Sequence, residues 1–195
     1  MTPPETIQFV TFRLADSLPR QAIERIRMQE HVLQHLDHEL DVGLGACWLR
    51  RSEIASLVED ALFHFDGQRY HLLAWCIMPN HVHIVIEMIG DHSLSKVVWS
   101  WKSFTAKQAN AALQRSGVFW DVDYFDRYMR NEEHLSRTIE YVEQNPVKAG
   151  LCSAPAEWPC SSARFREVCD MSGPEARAPV SDYRWSFCPY SLRHS

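Results

Sequence analysis

Two periods alternate along the chain. Tyr70 to Met78 is an apolar strand, Pro79-Asn80 turns the chain, and His81 to Met88 returns antiparallel with one wholly apolar face. On the returning strand Val82, Ile84, Ile86 and Met88 share an apolar face, and His81 and His83 stand on the other. Gly90-Asp91 closes this antiparallel hairpin, and the β-branched and aromatic stretch Ile7 to Leu14 predicts an earlier strand.

Helical spacing takes over elsewhere. Asp16-Ser17-Leu18-Pro19 leads into a helix from about Arg20 to Leu40, with Ile23, Ile26, Val32 or Leu33, Leu36 and Leu40 inward. His31, His35 and His38 lie among charged neighbours and read as solvated. Gly43-Leu44-Gly45 breaks that helix, and Ser52 opens a second one that turns Ile54, Leu57 or Val58, Ala61 and Leu62 inward, ending near Phe65-Asp66-Gly67. Ser93 caps a long helix to about Leu113, with Leu94, Val98, Trp101, Thr105 and Ala112 on its buried stripe. Its solvated face carries Lys96, Ser100, Ser103 and Lys107, with Trp99 and Lys102 on the flank. Val118 to Arg130 reads as a strand or irregular edge segment that delivers Arg127 and Arg130. Asn131 then caps a last helix, with Glu132 and Glu133 in its first turn and Leu135, Ile139 and Val142 buried. Pro146 is expected to stop that helix directly after Asn145.

Composition narrows the class. A chain of 195 residues that is 46% hydrophobic and 23% charged suits one domain with an appended tail, and wholesale disorder is excluded. The net charge of -5 argues against coating duplex DNA by bulk electrostatics, yet the charge is uneven. Residues 92–130 hold six Lys/Arg against three Asp, and residues 51–91 hold two against six acidic residues. That leaves room for a site gripping a few nucleotides. The six cysteines form no CxxC and read as reduced structural thiols. With no leader and no long apolar run, the expected location is cytoplasmic. The stretch after Leu151 is irregular and rich in proline, although Trp158, Phe165 and Trp185 argue that it packs.

The candidate chemistry centres on the hairpin. Residues two apart on a strand point to one face roughly 7 Å apart along the backbone, so two imidazoles there can converge on one divalent ion. The pair alone does not separate a ligand pair from two structural histidines, and a third ligand must come from elsewhere. On the last helix Tyr141 and Asn145 stand one above the other beside the buried stripe. By themselves they read equally as a boundary aromatic and a C-terminal cap. Trp99 reads as edge packing or as a platform for a base, and Lys102, Arg127 and Arg130 as candidate phosphate contacts.

Three ordered blocks carry a resemblance. Pro79-Asn80-His81-Val82-His83, then Trp120 with Tyr124 to Arg130, then Ile139 to Gly150 with Tyr141, Asn145, Pro146 and Lys148, resemble the Y1 transposase family. The likeness is greatest to the REP-associated tyrosine transposases, relatives of the IS200-like enzymes, and runs from the first strand to about Leu151. It implies an α+β, ferredoxin-like antiparallel sheet with helices mainly on one face, as a domain over residues 1–151, with 152–195 as an extension packing on it. It implies that His81, His83 and Asn145 bind Mg²⁺ or Mn²⁺ and that Tyr141 is the nucleophile. The implied substrate is hairpin DNA with single-stranded flanks, cut and joined on one strand through a 5′-phosphotyrosine. A monomer is expected, with a dimer as the alternative. The histidines are expected to be surface ligands whose loss costs little stability. Two other readings remain: a nucleic-acid-binding protein that kept the scaffold without turnover, and a metal hydrolase that uses water and does not need Tyr141.

Overall fold

The structure, a computed structural model, describes residues 7–19, 21–23 and 32–170, without the side chains of 32–34, 37 and 167–170. Four antiparallel strands, β1 (Ile7–Arg13), β2 (Tyr70–Ile77), β3 (His81–Met88) and β4 (Phe125–Tyr128), lie in the order β2-β3-β1-β4. The helices are α1 (Val32–Asp41), α2 (Ser52–Phe63), α3 (Leu94–Ala112), α4 (Glu132–Lys148) and α5 (Ala163–Asp170). Strand order and chain order together give the ferredoxin-like sheet. The expected helix from Arg20 is described in full only from Val32, where His35 and His38 are exposed. His31, Ile26, Trp185 and the last residues of the tail lie outside the described residues. No described helix is long and apolar enough to cross a membrane.

The period of two sorts the side chains onto two faces. Val10, Phe12, Val82, Ile84, Ile86 and Met88 pack with Ile54, Val58 and Leu62 of α2 and Val98 and Trp101 of α3. The opposite face, with Phe9, Val85, Cys76 and Met78, receives Leu135, Ile139 and Val142 of α4. Two long helices thus cover one face, and among the described helices α4 covers the histidine face, with Leu151 and Trp158 of the following segment packed beside it. A register shift between Leu72 and Ala74 lets both Leu73 and Ala74 turn toward α4.

Three details depart from the sequence reading. The buried stripe of α3 is Val97, Val98, Trp101, Thr105 and Ala109, while Ala112 is exposed in the last turn. Trp99 is 71% exposed, so it is not edge packing. Pro146 does not end α4, which runs to Lys148 with the proline inside. A proline there forfeits only one bond, to the carbonyl of Val142, and the last turn is closed by other donors. Ala149 N donates to Asn145 O at 2.9 Å, Leu151 N to Pro146 O at 2.8 Å, and Gly150 takes the left-handed φ of 68° that lets the chain leave.

Beyond α4 the chain returns to the outer side of β2. Ile77 N donates to Cys160 O and Ser162 N to Trp75 O, each at 2.9 Å, and the Trp158 indole donates to Ile77 O at 2.9 Å. The carboxylate of Glu143 on α4 takes hydrogen bonds from Ser162 and from Arg166, whose guanidinium also reaches Leu73 O.

Candidate active site

The two histidines are positioned from outside their own strand. The Pro79-Asn80 turn is held by Leu14 N to Asn80 O at 2.8 Å and by Leu49 N to Pro79 O at 3.2 Å. The Asn80 amide nitrogen donates to the carbonyls of Leu40 and Leu44, at 3.0 and 3.3 Å. The loop that supplies Leu44 depends on Gly45, at φ +85°, where an added Cβ would lie 2.5 Å from the Asp16 carbonyl oxygen. Asn80 Oδ1 is thereby aimed at His81 Nδ1, 2.8 Å away. On the neighbouring strand Thr11 is paired in register with His83, and its hydroxyl lies 2.7 Å from His83 Nδ1.

With each Nδ1 engaged, the Nε2 atoms of His81 and His83 face one another at 2.9 Å. Both rings are 0% exposed. This overturns the expectation of surface ligands: α4 covers the strand face on which they stand, so the pair is part of the interior. Burial drives the His81 pKa down to about 3 and, with the charge of His81, holds His83 well below the usual imidazole range. The neutral pair therefore opposes acid. An unfolded chain takes up its histidine protons below about pH 6.5, whereas folded His81 refuses its proton until about pH 3 and folded His83 also stays neutral well below 6.5. Stability of metal-free protein should fall as pH drops from 6.5 toward 3, by about 1 kcal/mol per pH unit for each histidine. Urea unfolding at pH 7, 6 and 5 in EDTA checks this; equal midpoints at pH 7 and 5 would contradict it.

Above the histidines lies Tyr141. Its ring centroid is 5.9 Å from that of His83 and 6.2 Å from that of Phe9, edge-on to both. Its hydroxyl is buried with no hydrogen-bond partner among the described residues. One turn on, Asn145 is buried and its amide nitrogen donates to Tyr141 O at 3.1 Å, which fixes the amide and leaves its oxygen as the acceptor atom. Tyr124 packs in the cluster on the far face of the sheet, and Tyr128 is 54% exposed at the edge.

The donor set fits a hard divalent cation. Cis ligands about 2.1 Å from an octahedral ion stand about 3.0 Å apart, and the two Nε2 atoms already stand 2.9 Å apart. His81, His83 and the Asn145 carbonyl would supply two nitrogens and one oxygen, leaving positions for water and phosphate oxygens, a set that suits Mn²⁺ at least as well as Mg²⁺. No cluster of three His, Cys, Asp or Glu that could hold a metal occurs among the described residues.

The candidate DNA contacts divide. Arg127 is exposed on β4 and pairs in register with Phe9, which places it on the histidine face; Arg130 is exposed at the start of α4. His134, beside them, is held below its ordinary pKa by burial and by the charges of Arg127 and Arg130. Lys102 and Trp99 belong to α3, on the opposite face. The Lys102 amine donates to the carbonyls of Val122 and Asp123 at 3.0 and 3.3 Å, so it is tied to its own chain. Four neighbours of the site escape the sequence reading. Thr11 and Asn80 hold the histidines. Arg13, paired in register with His81, is locked in a buried ion pair with Asp121 at 2.7 Å. The Lys148 amine lies 4.7 Å from the centre of the Tyr141 ring. Asn80 carried a signal as part of the hairpin motif and Lys148 as part of the last block, but neither was given a role; Thr11 and Arg13 carried none.

A pair of imidazoles on a central strand lies beneath a helical tyrosine, and residues 53–145 match the family model described as Transposase IS200 like. Over that stretch, just under half of its length, the chain is similar to those transposases. Within them it is similar to the REP-associated tyrosine transposases: a protein of Haemophilus influenzae assigned to that group is 26% identical over 122 residues, which is 57% of this chain and 67% of the other. The REP-associated tyrosine transposase of Escherichia coli K12 is 23% identical over 119 residues, 58% of this chain and 69% of that one. A solved REP-associated tyrosine transposase bound to a REP hairpin superposes with a TM-score of 0.55 at 19% identity, covering 87% of this chain and 83% of that chain, and so shares the fold.

Proposed function

We propose that this protein cuts and rejoins one strand of hairpin DNA through a covalent bond to Tyr141. The observation that carries the reading is the Tyr141 hydroxyl itself, a buried O–H with no acceptor among the described residues, above two convergent imidazoles. Leaving such a hydroxyl without a partner costs about 1–3 kcal/mol, a cost that a bound phosphate oxygen removes.

The step balances simply. Tyr141 Oη loses its proton and attacks phosphorus; the bond from phosphorus to the 3′ oxygen breaks, and that oxygen takes a proton as it leaves as a free hydroxyl. DNA stays on the tyrosine by its 5′ phosphate, and attack by a 3′ hydroxyl reverses the step. Bound between His81, His83 and Asn145, Mg²⁺ or Mn²⁺ would supply positive charge at the phosphate. Lys148 adds a positive charge beside the group that carries negative charge in the transition state. Asn80 and Thr11 hold the imidazoles, and α4 shields the site from water, which favours return of the strand over its hydrolysis.

Incubation with Mn²⁺ and a DNA hairpin bearing single-stranded flanks is expected to yield a species stable to denaturing electrophoresis, with a nucleotide on the peptide containing Tyr141. Absence of any adduct under these conditions would favour the scaffold as a hairpin-binding protein without turnover. Arg127→Ala and Arg130→Ala should each weaken hairpin binding and reduce the slope of log affinity against log salt by about one unit. Lys102→Ala should change that slope little, because its amine is occupied. An unchanged salt slope in both arginine variants would remove the histidine face as the path of the DNA backbone.

A further inference from the structure

The histidine pair has a definite arrangement of hydrogens. Both rings are fully enclosed, and their hydrogen-bond partners Asn80, Thr11 and each other are all uncharged, so the pair is neutral; two neutral Nε2 atoms 2.9 Å apart need one hydrogen between them. His81 cannot provide it. The Asn80 amide nitrogen donates to two carbonyls, which identifies the atom facing His81 Nδ1 as the amide oxygen, an acceptor only. His81 therefore carries its hydrogen on Nδ1, and its Nε2 is bare. The shared hydrogen belongs to His83 Nε2, and His83 Nδ1 becomes an acceptor for the Thr11 hydroxyl at 2.7 Å.

A divalent cation demands the opposite at His83. It takes lone pairs from both Nε2 atoms, so the His83 hydrogen must reside on Nδ1, and whatever faces Nδ1 must accept. Amide nitrogens and carbonyls each play one of these parts. A hydroxyl plays both, by rotating its hydrogen. Thr11 is also fixed in place: it is 2% exposed, β-branched in the middle of β1, and in register with His83.

Resting on the reading that His81 and His83 hold a divalent cation, we propose that Thr11 is a positioning residue that switches the tautomer of His83. Its hydroxyl donates to Nδ1 in the metal-free pair and accepts from Nδ1–H when both Nε2 atoms turn to the cation. One hydrogen leaves Nε2 and one arrives at Nδ1 of the same ring. No net proton is taken up or released by the pair, so a buried site accepts the cation without a change in its own charge.

The test is nitrogen-15 NMR of histidine-labelled protein with and without saturating Mg²⁺, together with Mn²⁺ titration of wild type, Thr11→Val and Thr11→Ser. Wild type should show His81 with hydrogen on Nδ1 throughout and His83 moving from Nε2–H to Nδ1–H when Mg²⁺ binds. Val keeps the shape and removes the hydroxyl, and should weaken Mn²⁺ binding by about tenfold or more; Ser restores the hydroxyl and should bind within about threefold of wild type. A His83 ring already in the Nδ1–H form without metal overturns the proposal, as does unchanged Mn²⁺ affinity in a folded Thr11→Val. The NMR measurement stands on wild type alone should the Val variant not fold. If wild type binds neither ion and its histidine signals do not move, the metal reading fails and the switch fails with it. Normal metal binding without the tautomer change sinks the switch alone.

Discussion

Tyr141→Phe is expected to fold, bind hairpin DNA and retain metal, yet form no covalent adduct. The ring packs edge-on against Phe9 and His83, and Phe preserves that packing. The hydroxyl it removes makes no hydrogen bond among the described residues. Deleting a buried hydroxyl without a partner removes that desolvation cost of about 1–3 kcal/mol, less the small packing contribution of the oxygen. The variant should therefore unfold at or slightly above the wild-type temperature, an outcome opposite to that of most buried substitutions. Activity and stability separate cleanly at this position. Denaturing gels and thermal unfolding read the two quantities independently. Cleavage by Tyr141→Phe at the wild-type rate would hand the chemistry to water, and an adduct on Tyr124 or Tyr128 would move it to another tyrosine.

Substitution of the histidines should do the reverse and damage both properties. His81→Ala and His83→Ala are each expected to abolish adduct formation and Mn²⁺ binding, and also to lower stability by about 2–4 kcal/mol. The stability loss follows from burial. Each ring is fully enclosed and makes hydrogen bonds at both nitrogens, to Asn80 and His83 in one case and to Thr11 and His81 in the other. Truncation opens a cavity and strands a buried partner, Asn80 Oδ1 or the Thr11 hydroxyl. A loss below about 0.5 kcal/mol in either variant, read by urea unfolding in EDTA, would mean that the rings are solvated in the working protein. Adduct formation that proceeds at full rate in EDTA would separate the chemistry from the metal.

These expectations show how far the sequence reaches. The alternation in His81 to Met88 places Val82, Ile84 and Ile86 on one face and the histidines on the other, because a strand allows no other arrangement. The stripe of Leu135, Ile139 and Val142 likewise follows from helical spacing. Burial of the histidines does not follow, since it depends on which sheet face α4 covers. Thr11 was invisible for a similar reason. Its link to His83 joins residues 72 apart, and the register of β1 against β3 is a property of the sheet, with no local signal. Lys102 was legible as a cation on a helix flank, but the carbonyls of Val122 and Asp123 that engage it come from a loop of no regular period. At Pro146 a local rule was followed too far: the proline lacks one donor, but the turn around it still closes.

The return of the chain along β2 bears on how copies of this protein can meet. An outermost strand with unpaired amides is a template for joining two sheets into one. On β2 the groups at Trp75 and Ile77 are already occupied by Ser162 and Cys160, and the Trp158 indole sits on the same stretch. At the other margin β4 is four residues long and carries Asp126 and Arg127, both exposed. Neither margin suits backbone pairing with a second molecule. Among the described residues the sheet has four strands, and its margins favour association through side chains of helix surfaces and loops over a joined sheet.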